Sequence, residues 1–246
     1  MACVQIVGYA SLDPALFVAE AGSIERMDLA PGTELAYTLG ERHCAGTTTD
    51  DGTHHLCERS RAPYCETHTT PWSVANNADS EEEHAVYLAG FAPRTFKVGV
   101  TRSWRLDTRL REQGADRAAH VLTTADGRAA RERETAISTE YDITERVRVA
   151  TKIRGLAEPF DEAAWDVLLD PFEVRETFAF EYGLNVEDRP VAETLLCGAV
   201  VGLKGRILLL SYRGTTYAVD CRDLVGYDLE SGAPDRDLQA SLGGFG

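Results

Sequence analysis

The sequence predicts an α+β protein in which β segments from the two ends of the chain form one β scaffold around two inserted parts. Short apolar runs with strand-like composition occur near both ends, bounded by glycine and proline turns. Between them lie a polar stretch rich in cysteine and histidine and then an alternation of strand-like and helix-like segments. The predicted parts are an N-terminal β segment (1–43), a zinc-binding loop (44–72), a small α/β unit (84–170), a C-terminal β segment (178–230) and a flexible tail (231–246).

The two terminal β segments are predicted from short runs of apolar and β-favouring residues. Residues 4–7 and 34–37 have the composition of strands, and Pro31-Gly32 forms a turn between them. Near the other end, the clearest strands are 195–197, 207–210 and 216–219, and Arg213-Gly214 has the composition of a hairpin turn. The residues from Ser231 onward are rich in Gly, Asp and Pro, which predicts a flexible tail.

Three cysteines and three histidines fall between Cys44 and His68, and the best four-ligand set is Cys44, Cys57, Cys65 and His68. The two-residue spacing of Cys65 and His68 is typical of a turn whose side chains converge on one ion, and thiolate and imidazole suit tetrahedral zinc. His54 and His55 lie close enough to compete, and His55 is the alternative fourth ligand. Four protein ligands indicate a structural zinc site, whose metal would supply the folding energy that so polar a loop lacks. The alternative is a set of unrelated buried cysteines and scattered histidines.

The α/β unit carries the residues that could perform chemistry. Tyr87 lies in the first strand, Lys97 in the second, and Arg109 and Glu134 in two helix-like segments. Glu134 is a candidate ligand for Mg²⁺ or Mn²⁺, and Arg109 could hold a phosphate through its planar guanidinium. Tyr87 could activate or orient a water molecule, and Lys97 could contact phosphate or act on the tyrosine. Together these residues indicate phosphodiester hydrolysis.

Each of these candidates also has an ordinary structural explanation. Tyr87 could be a core aromatic, which is the commoner role of a strand tyrosine. Arg109 could pair with Glu112, three residues on. Glu132 and Glu134 could both be solvated helix residues.

The charge of the chain is strongly acidic overall but uneven. The formal net charge is −15, and lysine occurs only three times, which is typical of halophilic adaptation. Residues 85–134 nevertheless hold ten basic against six acidic residues, a net charge of +4, so the rest of the chain carries −19. A basic groove for nucleic acid, with Arg102, Arg105 and Arg111 as binding residues, is one interpretation. Helix faces with internal salt bridges are the other.

Membrane insertion and secretion are not predicted. No segment reaches the roughly 18 apolar residues that a membrane-spanning helix needs. The N-terminus has no basic leader, and Asp13 interrupts its apolar residues, so the predicted location is the cytoplasm. Six cysteines in such a protein favour metal binding or free thiols over disulfides.

The central unit resembles the GIY-YIG nuclease superfamily, and most closely its branch with Lys-Ile-Gly as the second motif. Tyr87 corresponds to the first motif's tyrosine, Lys97-Val98-Gly99 to the second motif, Arg109 to the helix arginine and Glu134 to the metal-binding glutamate. Lys97 thus replaces the tyrosine of the usual second motif. The resemblance implies a small α/β domain and a metal-dependent nuclease.

A wider stretch of the chain is similar to a family known as domain of unknown function 2797. Besides the cysteine-rich stretch, the residues that carry this similarity are Tyr87-Leu88-Ala89, 97–102, Glu112-Gln113-Gly114-Ala115, Gly202-Leu203-Lys204-Gly205 and Gly226-Tyr227. No activity is established for that family, so the similarity implies shared ancestry without a reaction.

Two functions follow as hypotheses. The first is a phosphodiesterase or nuclease that uses Mg²⁺ or Mn²⁺, acts on nucleic acid and contains a structural zinc. The second is a non-catalytic, zinc-stabilised adaptor that binds nucleic acid or protein. Convergence of Tyr87, Arg109 and Glu134 on one open concave face would favour the enzyme, whereas a Glu134 side chain directed into solvent away from Tyr87 would favour the adaptor.

Overall fold

The computed structural model describes residues 4–69 and 80–233, which form two compact units. The first unit combines residues 4–69 with residues 190–233, and the second comprises residues 80–189. Both units contain sheet and helix, and sheet predominates, so the chain is a mixed α+β protein, as the sequence predicts. Residues 70–72 of the predicted zinc-binding loop and residues 234–246 of the predicted tail lie outside the described residues.

The described residues form fifteen strands and five α-helices. The strands are β1 (Val4–Ala10), β2 (Ala15–Glu20), β3 (Ser23–Asp28), β4 (Glu34–Arg42), β5 (Thr47–Thr48), β6 (His54–His55), β7 (His84–Phe91), β8 (Thr95–Arg102), β9 (Arg117–Thr124), β10 (Glu176–Ala179), β11 (Val191–Ala192), β12 (Leu196–Lys204), β13 (Ile207–Tyr212), β14 (Thr215–Asp220) and β15 (Tyr227–Ser231). The helices are α1 (Leu106–Gln113), α2 (Gly127–Glu140), α3 (Val149–Arg154), α4 (Glu162–Leu169) and α5 (Cys221–Leu224), and a 3₁₀ turn (Ser103–Arg105) precedes α1.

The first unit is built on a nine-stranded sheet in the order β11-β14-β13-β12-β4-β15-β1-β2-β3. β4, from the N-terminal part of the chain, lies between β12 and β15 from the C-terminal part, and β1 pairs with β15. The two ends of the chain therefore share one sheet. The Arg213-Gly214 turn joins β13 to β14 with positive φ at both residues, the geometry of a type I′ hairpin.

The core of the first unit is centred on β12, β13 and β14. All four residues 207–210 are buried, so both faces of β13 are covered. The fully buried Tyr217 on β14 places its hydroxyl against β12, where it accepts a hydrogen bond from the Cys197 amide at 3.1 Å and donates to the Cys197 carbonyl at 2.5 Å. This hydroxyl satisfies backbone groups beside Gly198, whose φ is +115°.

The second unit has a four-stranded sheet in the order β10-β9-β7-β8. Every residue of β7 is buried, and alternate side chains enter two separate cores. Tyr87 packs with Leu110 of α1 on one face, while Val86 and Leu88 pack with Ala130 of α2 on the other. Helices on both faces thus explain the burial of this central strand.

The segment after α2 extends the sheet at the β8 edge. Thr144 forms an isolated parallel bridge with Lys97, and the Thr144 carbonyl accepts a hydrogen bond from the Val98 amide at 3.0 Å. This pairing holds Glu145 beside the edge strand.

The start of the predicted C-terminal β segment, 178–230, lies in the second unit. Residues 178 and 179 belong to β10, which pairs with β9. Phe178 and Phe180 stack at 6.1 Å between ring centroids and pack against the same core as Tyr87. These apolar contacts hold residues 178 and 179 in the second unit. The sequence prediction grouped them with the C-terminal β segment, because strand composition alone does not identify the sheet that a strand joins.

Tyr217→Phe is expected to destabilise the first unit by about 1–3 kcal/mol, because it leaves buried backbone groups at Cys197 without a partner. Equilibrium denaturation of both variants measures the effect. Tyr37→Phe is the control, since the Tyr37 hydroxyl makes no hydrogen bond within the described residues. This variant should lose less than about 0.5 kcal/mol of unfolding free energy. Equal losses in the two variants would contradict the role given to the Tyr217 hydroxyl.

Candidate metal centre and candidate active site

Cys44, Cys57, Cys65 and His68 converge in the first unit. One ligand atom from each residue lies within 4.8 Å of the others. Cys44 and Cys65 are fully buried, and Cys57 and His68 are partly buried. The four residues chosen from sequence spacing therefore form one Cys₃His cluster that could hold a metal ion.

The distances within the cluster fit a tetrahedral zinc ion. The Cys57 and Cys65 Sγ atoms are 4.0 Å apart, and His68 Nδ1 lies 3.2 Å from Cys44 Sγ and 3.5 Å from Cys65 Sγ. Zn–S bonds of about 2.3 Å and Zn–N bonds of about 2.0 Å at tetrahedral angles give S–S and S–N distances of about 3.8 Å and about 3.5 Å. The donor set and its spacing thus suit zinc, and four protein ligands would leave no open position.

Backbone amide groups surround the cysteine sulfurs. The Cys65 amide donates to Cys44 Sγ at 3.2 Å. Burial opposes ionisation of Cys65, but hydrogen bonds from the His68 and Thr67 amides lower the pKa of its thiol to about 6. Burial raises the pKa of Cys44. Amide groups directed at a thiolate are the usual second layer of interactions around a cysteine-bound metal.

The competing histidines have other roles. His54 is buried and its Nε2 lies 2.7 Å from the Ala45 carbonyl, and His55 is exposed. Neither belongs to the cluster. Of the candidate histidines, His68 is the one that lies in the cluster.

His43 is a residue near the cluster that the sequence analysis missed. Its Nδ1 lies 2.9 Å from the Cys57 carbonyl and its Nε2 lies 3.0 Å from Asp228 Oδ1 on β15. Burial opposes protonation of His43, but these two acceptors raise its pKa. The ring thereby ties the loop that carries Cys57 to the main sheet. No spacing signal identifies His43, because Asp228 is 185 residues away in the sequence.

The second unit holds three of the predicted catalytic residues, Tyr87, Lys97 and Glu134, which we call together the Tyr87–Lys97–Glu134 centre. Lys97 contacts Tyr87, whereas Glu134 lies on α2, which packs on the other face of β7, and it is related to Lys97 by charge. Tyr87 pairs with Gly99 across β7 and β8, and Lys97 Nζ lies 5.5 Å from the Tyr87 ring centroid. A Cβ atom added at Gly99 would lie 2.6 Å from Tyr87 Oη and 2.9 Å from Lys97 Nζ. Only glycine at this position leaves room for both side chains.

Glu134 of α2 is buried, with 3 % of its surface exposed. Its Oε2 accepts a hydrogen bond from Arg131 at 2.5 Å. Burial raises the pKa of Glu134 and outweighs the charges of Arg131 and Lys97, which lower it, while Glu145 raises it further. Glu134 therefore lies in the electrostatic field of Lys97 and is not a solvated helix residue.

Gln113 of α1 also belongs to this centre and was missed as a site residue. Its Nε2 donates a hydrogen bond to Tyr87 Oη at 2.6 Å, and α1 ends directly after it at Gly114, which adopts a left-handed conformation. Gln113 lies in the motif Glu112-Gln113-Gly114-Ala115, but nothing in that motif indicates a contact with Tyr87.

The arginines before and along α1 are paired with carboxylates, and Arg109 and Arg111 are exposed whereas Arg102 and Arg105 are partly buried. Arg109 lies on α1, one turn before Gln113, and contacts Glu112 at 3.5 Å. Arg105 also contacts Glu112, at 3.0 Å, and Arg111 contacts Asp107 at 2.8 Å. Arg102 Nε lies 2.6 Å from Glu82. The salt-bridged arrangement weighed in the sequence analysis is thus present, although pairs this exposed contribute little stability and can be exchanged for phosphate.

Comparison with known proteins identifies the family. The family described as Protein of unknown function (DUF2797) matches residues 43–229. The chain belongs to this family. The DUF2797 match covers the Cys₃His cluster and the whole Tyr87–Lys97–Glu134 centre. No curated protein and no solved structure matches the chain, so the GIY-YIG resemblance stays a prediction from the motifs.

None of the helices within residues 4–69 and 80–233 combines the length and the apolar character that a membrane span requires.

Cys65→Ser is expected to lose bound zinc and to lower the unfolding temperature of the first unit, because the cluster loses one of its four ligands. Zinc content by mass spectrometry and thermal unfolding with and without a chelator measure both effects. Two controls should retain one zinc per chain. Cys221→Ala removes a buried cysteine outside the cluster, and His55→Ala removes the alternative ligand. Loss of zinc from His55→Ala would contradict the ligand set.

Gly99→Ala is expected to displace Tyr87 and Lys97 and to destabilise the second unit by about 1–3 kcal/mol through overpacking. Gly8→Ala is the control, because its added Cβ would meet only the edge of the Phe17 ring, at 3.3 Å. Denaturation curves compare the two variants. A Gly99→Ala protein as stable as Gly8→Ala would show that the Tyr87–Lys97 contact is not tight.

Proposed function

We propose that the protein is a divalent-metal-dependent phosphodiesterase that acts on nucleic acid, with a GIY-YIG-like active centre in the second unit and a structural zinc site in the first. The observation that carries the proposal is the burial of Lys97, which contacts the Tyr87 ring, together with the burial of Glu134, whose ionisation the charge of Lys97 influences. The burial of Glu134 counts against the adaptor, for which this side chain is expected in solvent away from Tyr87.

The energetics of the buried charges support a functional role. Lys97 is 9 % exposed and Glu134 is 3 % exposed, whereas lysine and glutamate are almost never fully buried unless paired. Removing an ion from water costs several kcal/mol, and an apolar pair of similar volume is often equally stable. Glu134 is paired with Arg131 and not with Lys97. The fold does not require these buried ionisable groups, so their presence makes this region a candidate active site.

The Glu134 carboxylate suits the role of metal ligand. Mg²⁺ is commonly held by one or two carboxylates together with substrate phosphates and water, and Glu145 is a second carboxylate near Glu134. A divalent cation bound there would polarise the phosphate and promote deprotonation of a bound water. The charges of Arg131 and Lys97 favour the ionised form of Glu134, and the phosphate of the substrate would complete the ligands of the metal.

The other residues would position the substrate. Lys97 is a compact charge that could contact a non-bridging oxygen of the scissile phosphate. The hydrogen bond from Gln113 fixes the Tyr87 hydroxyl, and the burial of Tyr87 limits it to orienting groups within hydrogen-bond distance of Oη. Arg109, exposed one turn earlier on α1, could exchange Glu112 for a neighbouring phosphate.

The adaptor remains the second candidate, and one observation favours it. Arg102, Arg105, Arg109 and Arg111 each contact a carboxylate, which lowers the positive potential available to a nucleic acid. In that case, the zinc-stabilised fold would bind nucleic acid or protein without turnover.

Glu134→Gln is expected to abolish Mg²⁺- or Mn²⁺-dependent cleavage of mixed DNA and RNA substrates, because it removes the ligand carboxylate while retaining its size. Glu132→Gln is the matched control, since Glu132 is an exposed glutamate on the same helix and should leave cleavage unchanged. Gel-resolved product formation gives the rates, and zinc content reports that the first unit is intact.

The outcomes separate the candidates. Cleavage by wild type and Glu132→Gln but not by Glu134→Gln supports the enzyme. Cleavage that survives Glu134→Gln contradicts the assigned centre. Binding by all three proteins without cleavage supports the adaptor.

A further inference from the structure

Trp104 is the most exposed large apolar side chain in the part of the chain that the structure describes. It is 70 % exposed and lies in the 3₁₀ turn between β8 and α1. The buried Trp165, in contrast, is 4 % exposed and packs against Phe96 and Phe160. An indole left largely in water on a short turn adds little to the core of the unit, and tryptophan is enriched among the residues that dominate binding interfaces.

The surroundings of Trp104 are rich in arginine. The Arg105 guanidinium lies 5.9 Å from the Trp104 ring centroid, within cation–π distance. From Arg102 to Gln113 there are four arginines and two acidic residues in a chain whose net charge is −15. The exposed ring is therefore placed in a locally basic segment of an acidic protein.

We propose that Trp104 and Arg105 form a stacking site for an unpaired base of a single-stranded nucleic acid whose backbone follows α1 toward the Tyr87–Lys97–Glu134 centre. The proposal rests on the proposed function and specifies its substrate class. An aromatic ring beside cationic side chains is the combination that binds single strands, because the ring stacks on a base and the cations attract the backbone.

The position of α1 connects the two sites. Trp104 lies before the first residue of the helix, and Gln113, its last residue, contacts Tyr87. Eight helical residues span about 12 Å. Arg105 and Arg109 both reach Glu112, so these two arginines lie along the same side of the helix between Trp104 and the centre. A strand stacked on Trp104 would have its phosphates beside these arginines.

Single strands are favoured over duplexes for a geometric reason. In a duplex, base faces are already covered by neighbouring bases, whereas an unpaired base can stack on an exposed indole. Trp104 lies on a turn and not on a helix or strand that could enter a groove, so readout of duplex base edges is not expected of it.

The test measures binding of a fluorescein-labelled mixed-sequence single-stranded DNA, a single-stranded RNA and a matched duplex, in EDTA to prevent cleavage. The variants are wild type, Trp104→Ala, Trp104→Phe and Val167→Ala. The last is the matched control, because Val167 is an apolar side chain of similar exposure, 68 %, in the same unit. Trp104→Ala should weaken single-strand binding about 5- to 150-fold, the range for losing one base–aromatic stack.

Three further readouts identify stacking. Trp104→Phe should retain most of the affinity, because the ring can still stack, but should lose the quenching of tryptophan emission that a bound strand causes. The loss of single-strand affinity that Trp104→Ala causes should be similar at low and high salt. Arg109→Ala should instead reduce the salt dependence of binding.

Equal affinity for single strand and duplex, or no effect of Trp104→Ala, would overturn the stacking site. A change in self-association without a change in oligonucleotide binding would assign Trp104 to a protein contact and would also overturn it. Cleavage that depends on Glu134 but not on Trp104 would overturn this inference alone. Absence of both binding and cleavage would overturn the inference and the proposed function together.

Discussion

The complete burial of β7 is the constraint on which the second unit depends. Because both faces of this strand are covered, Tyr87 must enter one core and Val86 and Leu88 the other. The antiparallel pairing with β8 then places Gly99 opposite Tyr87 and Lys97 beside it. The second unit keeps a buried lysine and a buried glutamate, which cost stability and can serve chemistry.

The first unit depends on a different source of order. The loop that follows β4, residues 43–69, has few apolar residues, yet Cys44 and Cys65 within it are fully buried. Four ligand atoms at tetrahedral spacing and an amide group directed at a sulfur surround the position that a zinc ion would take. The contacts of His43 with the Cys57 carbonyl and Asp228 tie this loop to the main sheet. Metal binding in such a loop replaces the hydrophobic core that its sequence lacks.

The sequence predicts some parts of this structure well because their signals are local. Cysteine and histidine spacing identified all four members of the Cys₃His cluster, and the Arg213-Gly214 turn follows from backbone preference. Contacts between distant residues could not be predicted. Gln113 reaches Tyr87 and His43 reaches Asp228 only through the fold, and β10 joins the second sheet because of the packing of Phe178 and Phe180. The burial of Glu134 likewise depends on how α2 packs and not on its composition.

The central claim is that the Tyr87–Lys97–Glu134 centre holds a divalent cation together with a nucleic-acid phosphate. Electron paramagnetic resonance of Mn²⁺ tests it most directly, with the zinc-loaded protein and a single-stranded oligonucleotide that carries non-hydrolysable phosphate linkages. The account predicts one bound Mn²⁺ per chain in wild type, enhanced by the oligonucleotide and lost in Glu134→Gln. Equal Mn²⁺ binding by both proteins, or none by either, would contradict it.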